Sequence, residues 1–164
     1  MQVEYSPFAL EIENNDLLST ARGFGTAIIC YSPLGRGMLT GQYRSPDDFP
    51  EGDFRRYAPR FSAENFPKNL ELVEKIDGIA KKKGVTVGQL TLAWLLAQGE
   101  DVIPIPGTKK EKYLKENLGG LRVELSSGEK EEIREASEKA QVAGERYPEG
   151  MGGALYADTP ELKA

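Results

Sequence analysis

Histidine is absent from this chain of 164 residues. No imidazole acid–base catalyst, histidine-dependent nucleophile triad or histidine metal site can be built from it. Cysteine is present once, at Cys30, so neither an internal disulfide nor a thiolate zinc cluster can form within the chain. Cys30 lies in the apolar run Ala27-Ile28-Ile29-Cys30, where a buried inert thiol is expected rather than a nucleophile. This cysteine usage suits a reducing, cytoplasmic compartment. No apolar stretch approaches the length of a membrane span, and no basic region precedes an apolar one at the N-terminus, so no membrane partner is expected. Excess positive charge is missing too: 21 Lys and Arg face 26 Asp and Glu, a net charge of −5. That balance argues against nucleic acid as a partner.

What is present reads as one globular domain. Hydrophobic residues make up 39% and charged residues 29%, a composition that can bury a core. Residues 2–6 predict a short strand. Asn15 or Asp16 caps a helix over 16–22, with Leu17, Leu18 and Ala21 inward and Gly23 ending it. Thr26 to Tyr31 is a short apolar run, the pattern of a strand buried on both faces. Residues 32–64 are rich in Gly, Pro, Arg and Asp and predict a long irregular stretch, either a functional loop or a disordered one. Residues 67–83 place Leu70, Val73, Ile76 and Ala80 on one helical face and stop at Gly84. Thr86 and Gln89 form a capping-box pattern before "LTLAWLLAQ", a helix apolar nearly all round that should be sandwiched between layers. "DVIPIPG" at 101–107 predicts a third strand. Thr108 with Glu111, and Ser126 with Glu129, form two more capping-box patterns. The helix after Thr108 runs to Leu118 and ends at Gly119-Gly120. The last helix carries Ile133, Ala136 and Ala140 on one stripe. Residues 1–142 are thus the ordered unit and 143–164 an irregular tail.

Strands alternating with helices predict a parallel α/β fold. Three short parallel strands leave both sheet edges bare, so the sheet looks like part of a larger one.

"EYSPF", "YSPLGRGMLTG", "GQLTLAWLLAQG", "IPIPGTKK" followed by "YLKENL", and "AGERYPE" together resemble the aldo-keto reductases. That family consists of NADPH-dependent carbonyl reductases on a (β/α)8, or TIM, barrel. The resemblance runs from about residue 2 to the end. It implies that the two Tyr-Ser-Pro turns close the sixth and seventh barrel strands and that "IPIPG" is the eighth. The chain is then the C-terminal half of a TIM barrel with an extra C-terminal helix.

"PGT" follows a strand and precedes a helix. Gly107 admits a ligand close to the backbone, Thr108 offers a hydroxyl, and Lys109 and Lys110 add charge near a helix start, which together read either as an anion site or as a capped helix with solvated lysines. The resemblance makes the anion the 2′-phosphate of NADP(H), with Lys109 its contact. It implies adenine contacts from Glu116 and Asn117. For Tyr113 a place along the phosphate and ribose stands beside a simple packing role. It implies that Tyr31 stacks on the nicotinamide, that Gln2 holds the carboxamide, and that Ser32, Pro33, Leu34 and Gly35 begin a loop over the pyrophosphate. "GRGMLTG" is not a Rossmann fingerprint, since its glycine spacing differs and no acidic ribose partner follows.

The family's catalytic Asp, Tyr, Lys and His tetrad comes from the first half of the barrel and has no counterpart here, so no catalytic residue is assigned. No metal ligand set is assigned either. Tyr5 and Tyr31 lack a neighbouring lysine placed by motif, and a tyrosine needs one to act as an acid at neutral pH. Three functions follow: an NADP(H)-binding half that reduces small carbonyl substrates only in a complete barrel, a self-associating half-barrel without catalysis, or a protein-interaction module. A homodimer or a first half-barrel is the expected partner, because Val3 and Tyr5 on one side and Val102, Ile103 and Ile105 on the other would lie at open edges or on an uncovered face. NADP(H) binding in the isolated half is expected to be weak.

Overall fold

The computed structural model describes residues 1–148, 150 and 151. Residues 149 and 152–164 of the expected tail lie outside the described residues. Three strands, β1 (Gln2–Glu4), β2 (Ile28–Tyr31) and β3 (Val102–Pro104), form one sheet in the order β1-β2-β3. Both pairings are parallel, with Val3 opposite Cys30 and Ile28 opposite Val102. The α/β expectation holds.

Strand side chains alternate between faces, and the register sorts them. Val3, Ile28, Cys30 and Val102 point to the helical layer and are buried in one core with Ile76, Leu90 and Trp94. Gln2, Ile29, Tyr31 and Ile103 lie on the other, inner face. This corrects two expectations. β2 is not buried on both faces: Ile28 and Cys30 are fully buried while Ile29 and Tyr31 are partly exposed. Of the two alternatives expected for Val3, Tyr5 and Val102, the open edge holds, since β1 and β3 are the two edge strands, and the uncovered face does not, because the helices cover their side of the sheet. Only Ile103 and Ile105 stay open, at 45% and 43% exposure.

Between β1 and β2 lie α1 (Glu11–Asn14), which the sequence did not predict, and α2 (Leu17–Gly23). Asn15 Oδ1 accepts from the Leu17 N–H at 3.2 Å. Asp16 adopts φ 60° and its side chain does not cap. The residue in left-handed geometry past the end of α2 is Gly25, φ 65°, rather than Gly23.

Residues 32–64 are folded rather than open. Four 3-10 turns cover Gly35–Thr40, Pro46–Asp48, Phe54–Tyr57 and Pro59–Phe61. Met38, Leu39, Phe49, Ala58 and Phe61 are buried, and the Phe49 ring lies 4.8 Å from Tyr43 and 5.6 Å from Phe61. Apolar side chains at irregular spacing tie this segment to the core, which no periodicity could reveal.

The long helix α3 (Phe66–Lys83) buries Leu72 and Ile79 in addition to Val73, Ile76 and Ala80, and Gly84 closes it at φ 75°. α4 (Val87–Leu96) is buried along most of its length, as its composition predicts, and its Thr86–Gln89 capping box is complete. α5 (Glu111–Gly119) begins later than expected. Lys110 is its N-cap and makes no side-chain cap bond, since an ammonium group cannot accept one, and the Thr108 hydroxyl accepts from the Lys110 N–H at 3.1 Å rather than from the first turn of the helix. The expected Thr108–Glu111 box is therefore not formed. α6 (Ser127–Lys139) carries the third box, Ser126 with Glu129, as predicted.

Residues 143–148 lie against the body. Asn69 grips Ala143 from both sides, its amide nitrogen donating to the carbonyl at 2.9 Å and its oxygen accepting from the N–H at 2.8 Å.

Candidate functional site

A cleft of about 490 Å³ opens beyond the C-terminal ends of β2 and β3. That volume suits a small ligand, and ligands of parallel α/β folds bind at this end of the strands. Its first wall is the turn after β2, with Ser32, Pro33, Leu34, Arg36 and Gly37. Thr40, Gln42, Tyr43 and Arg55 extend that wall. The opposite wall is Ile105, Pro106, Gly107 and Thr108, which follow β3. Tyr113, Glu116 and Asn117 of α5 close one end, beside Gly88 at the start of α4.

The first wall depends on unusual backbone. Ser32 and Arg36 adopt positive φ (48° and 55°), as do Gly35 and Gly37 (56° and 95°). Such geometry costs an L-residue about 1–2 kcal/mol and persists only where surrounding contacts fix it. Arg55 is one of those contacts. Its guanidinium donates to the Arg36 carbonyl at 2.9 Å, is paired with Asp53 at 2.7 Å, and stacks 4.3 Å from the Phe49 ring centroid and 4.5 Å from that of Tyr43. Arg55 is committed to the wall. At the closed end Tyr113 donates from its hydroxyl to Gln42 at 3.1 Å, linking α5 to the first wall.

Most of the site residues expected from the sequence meet here. Ser32, Pro33, Leu34, Gly107, Thr108, Tyr113, Glu116 and Asn117 line the cleft. Tyr113, Glu116 and Asn117 do so because spacings of three and four residues share one helical face. Gly107 has open space within 4 Å of where a side chain would start, so a ligand can come close to its backbone. Gln2, Tyr31, Gly35 and Lys109 are not among the lining residues. Gln2 and Tyr31 sit on the inner sheet face, and Gly35 is buried behind its wall against Phe8 and Leu39. Sequence reasoning missed Arg36, Gly37, Thr40, Gln42, Tyr43, Arg55, Gly88, Ile105 and Pro106. The first five fall in or directly after the quoted "YSPLGRGMLTG" and could have been found there. Gly88, Ile105 and Pro106 likewise fall in the quoted "GQLTLAWLLAQG" and "IPIPGTKK", while Arg55 lies outside every quoted motif and is brought in only by the fold.

On the inner face, at the C-terminal end of β1, a charged group surrounds Glu4. Arg146 Nε is 3.4 Å and Arg60 Nη1 3.8 Å from its carboxylate, which is buried. Burial pushes the Glu4 carboxyl up, while Arg146, Arg60 and Arg36 pull it back down. Burial also pushes up the hydroxyls of Tyr5 and Tyr31, with Glu13 adding to the first and Glu4 to the second. Both shifts run opposite to what a tyrosine proton donor needs at neutral pH. The Cys30 thiol, buried in the sheet, is pushed up to about 11, so it stays protonated and inert as expected. Among the described residues no cluster of three potential metal-ligating side chains occurs, and no helix is long and apolar enough to cross a membrane.

The sequence matches the model of the aldo/keto reductase family over residues 1–138. It is 59% identical over 164 residues to "Aldo-keto reductase yakc [NADP(+)]" of Schizosaccharomyces pombe, covering 99% of this chain and 48% of that protein. It is 52% identical to aldo-keto reductase str7 of Strobilurus tenacellus, with the same coverage of each. The chain thus spans about half the length of the curated relatives it matches. Among solved structures it resembles the glycerol dehydrogenase AKR11B4 from Gluconobacter oxydans, with a TM-score of 0.75 and 28% identity over 85% of this chain and 42% of that one. Coverage of about half of each relative agrees with a parallel α/β unit that is part of a TIM barrel.

Proposed function

Because this chain belongs to the aldo/keto reductase family, we propose that its cleft takes the adenine and phosphate end of NADP(H), and that the chain is the cofactor-binding half of a carbonyl reductase. The observation that carries the reading is the convergence in one cleft of Gly107, Thr108, Glu116 and Asn117, which arise from separate motifs. The residues fit such a ligand. Thr108 supplies a hydroxyl and the open space at Gly107 admits a phosphate close to the backbone. Lys109 is exposed beside them and would neutralise the 2′-phosphate. Glu116 and Asn117 offer acceptors and a donor to the adenine edge. Ser32, Pro33 and Leu34 would flank the pyrophosphate, with Gly35 shaping their turn from behind. Gln2 would hold the carboxamide, and Tyr31 would stack on the nicotinamide, fixing the face it presents. When bound, NADPH supplies hydride to a carbonyl.

The chain's own residues bind and orient in this reading. They do not deliver the proton, since the family's Asp, Tyr, Lys and His tetrad is not matched and histidine is absent. Reduction of a small carbonyl substrate then requires a first half-barrel, supplied in the same chain or another. A reducing, cytoplasmic setting suits the single buried thiol.

Calorimetry with 2′,5′-ADP tests the reading. Binding is expected, and Lys109→Ala should weaken it roughly tenfold, the scale of a charge-assisted contact. No heat of binding, or unchanged affinity in the variant, rejects the assignment.

A further inference from the structure

Arg36 faces two ways. It lines the cleft, yet its guanidinium is engaged on the far side by the C-terminal segment. Its Nη1 donates to the Arg146 carbonyl at 2.7 Å. The Tyr147 ring centroid lies 4.4 Å from its guanidinium carbon, and that of Phe54 lies 5.5 Å away. Phe54 and Tyr147 are themselves 6.3 Å apart. The arginine thus joins three stretches that are distant in sequence: the turn after β2, the 3-10 turn at Phe54–Tyr57, and residues 146–147.

The backbone is built to aim it there. Arg36 adopts φ 55°, a conformation that needs outside support in a non-glycine residue. Arg55 gives that support by donating to the Arg36 carbonyl. The segment it meets is anchored independently at its other points. Asn69 holds Ala143, the Arg60 N–H donates to the Glu145 carbonyl at 3.1 Å, and the Arg146 side chain pairs with Glu4 and Glu11. Residues 143–146 therefore have their own attachments, while Tyr147 rests on Arg36.

We propose that Arg36 is a positioning residue: it latches the 143–148 segment as a strap beside the cleft, so that one side chain sets both the cleft wall and the end of the strap. Arginine suits this role because its planar cation can stack on a ring face and donate N–H bonds within its own plane at once. Lysine can do only part of it.

Hydrogen exchange on the full chain, read by peptide mass, tests the latch without any cofactor, so its outcome is separate from that of the cleft assignment. In Arg36→Met, the Arg60 amide, which donates to the Glu145 carbonyl of the strap, should exchange roughly tenfold faster, from the loss of a charged hydrogen bond and a cation–π contact one and two residues further on. Amides of α3 and α4 should keep their protection. Arg36→Lys should fall between the two, since it retains the charge but not the planar stack. Tyr147→Ala removes the other side of the contact at a site that does not disturb the strained turn, and should loosen the same Arg60 amide even if Arg36→Met fails to fold. Unchanged exchange at the Arg60 amide in the variants that fold overturns the latch. So does loosening of α3 and α4 to the same degree as the strap, which would make Arg36 a general support of the fold.

Discussion

Two glycines show how one residue type serves two purposes. Gly35 adopts φ 56°, and a Cβ there would stand 2.9 Å from Phe8 Cδ2. Gly35→Ala carries both the left-handed penalty of about 1–2 kcal/mol and a contact the buried ring must relieve. Urea unfolding should show a lower midpoint for that variant. Gly107 has neither constraint: its φ is not left-handed and nothing lies within 4 Å of a Cβ. Gly107→Ala should leave stability within about 0.5 kcal/mol while weakening 2′,5′-ADP, because the new methyl occupies space left for a ligand. A stability loss at Gly107 with unchanged affinity would contradict that assignment. The sequence marked both glycines as candidates. Only the packing around them separates a structural glycine from one that leaves room.

At the scale of elements, capping chemistry was legible twice in three places. The boxes at Thr86–Gln89 and Ser126–Glu129 form, and the one at Thr108–Glu111 does not. The pattern was equally good in each case. What differs is the preceding backbone, where Thr108 turns onto Lys110 and delays the helix. Ser126→Ala should therefore cost about 1 kcal/mol of stability, whereas Thr108→Ala should fall within about 0.5 kcal/mol. α6 also carries a pH dependence. Both Glu129 oxygens accept from Lys83 Nζ at 2.8 and 2.9 Å, and the Ser126 N–H and hydroxyl add bonds. Lys83 first, then Ser126, holds this carboxyl down to about 2. Its folded value lies below the ordinary one of about 4.3. The stabilisation is thus complete above the ordinary value and is lost as pH falls toward 2. The melting temperature should drop over that acid window and drop less in Glu129→Gln. Equal slopes in the two proteins would remove Glu129 from the account. The group is partly solvated, so added salt should shrink the effect.

For the whole molecule, the inner face of the sheet and the surface of α5 set the expectations. Ile103 and Ile105 are open on the sheet, Leu114 and Leu118 are exposed four residues apart on α5, and Leu121 is exposed in the 3-10 turn Gly120–Arg122 that follows it. Exposed apolar surface of this kind favours association, and a symmetric dimer is the commonest form. Sedimentation of the purified chain should show self-association, and Ile103→Asp with Leu118→Asp should abolish it. A clean monomer at roughly tens of micromolar would contradict the expectation. The same sample should not consume NADPH with a simple aldehyde. A positioned general acid supplies ~10²–10⁴-fold, and burial shifts Tyr5 and Tyr31 away from that role. Turnover that survives repurification would show that the chain carries its own proton donor.

The sequence alone determined the parallel strand–helix alternation, the amphipathic and capped helices, the inert cysteine and most of one side of the cleft. These are local matters: periodicity, turn chemistry and short motifs are written within about ten residues of one another. The tertiary structure decided which strand face is covered, since a run such as Ile28 to Tyr31 reads the same whether helices lie on one side or both. It turned the 32–64 stretch into a packed wall through side chains at irregular spacing. It also placed Arg55 on the strained turn and Tyr147 on Arg36, contacts that span 19 and 111 residues of chain. No local pattern encodes such pairs, because their partners are chosen by the packing of the core between them.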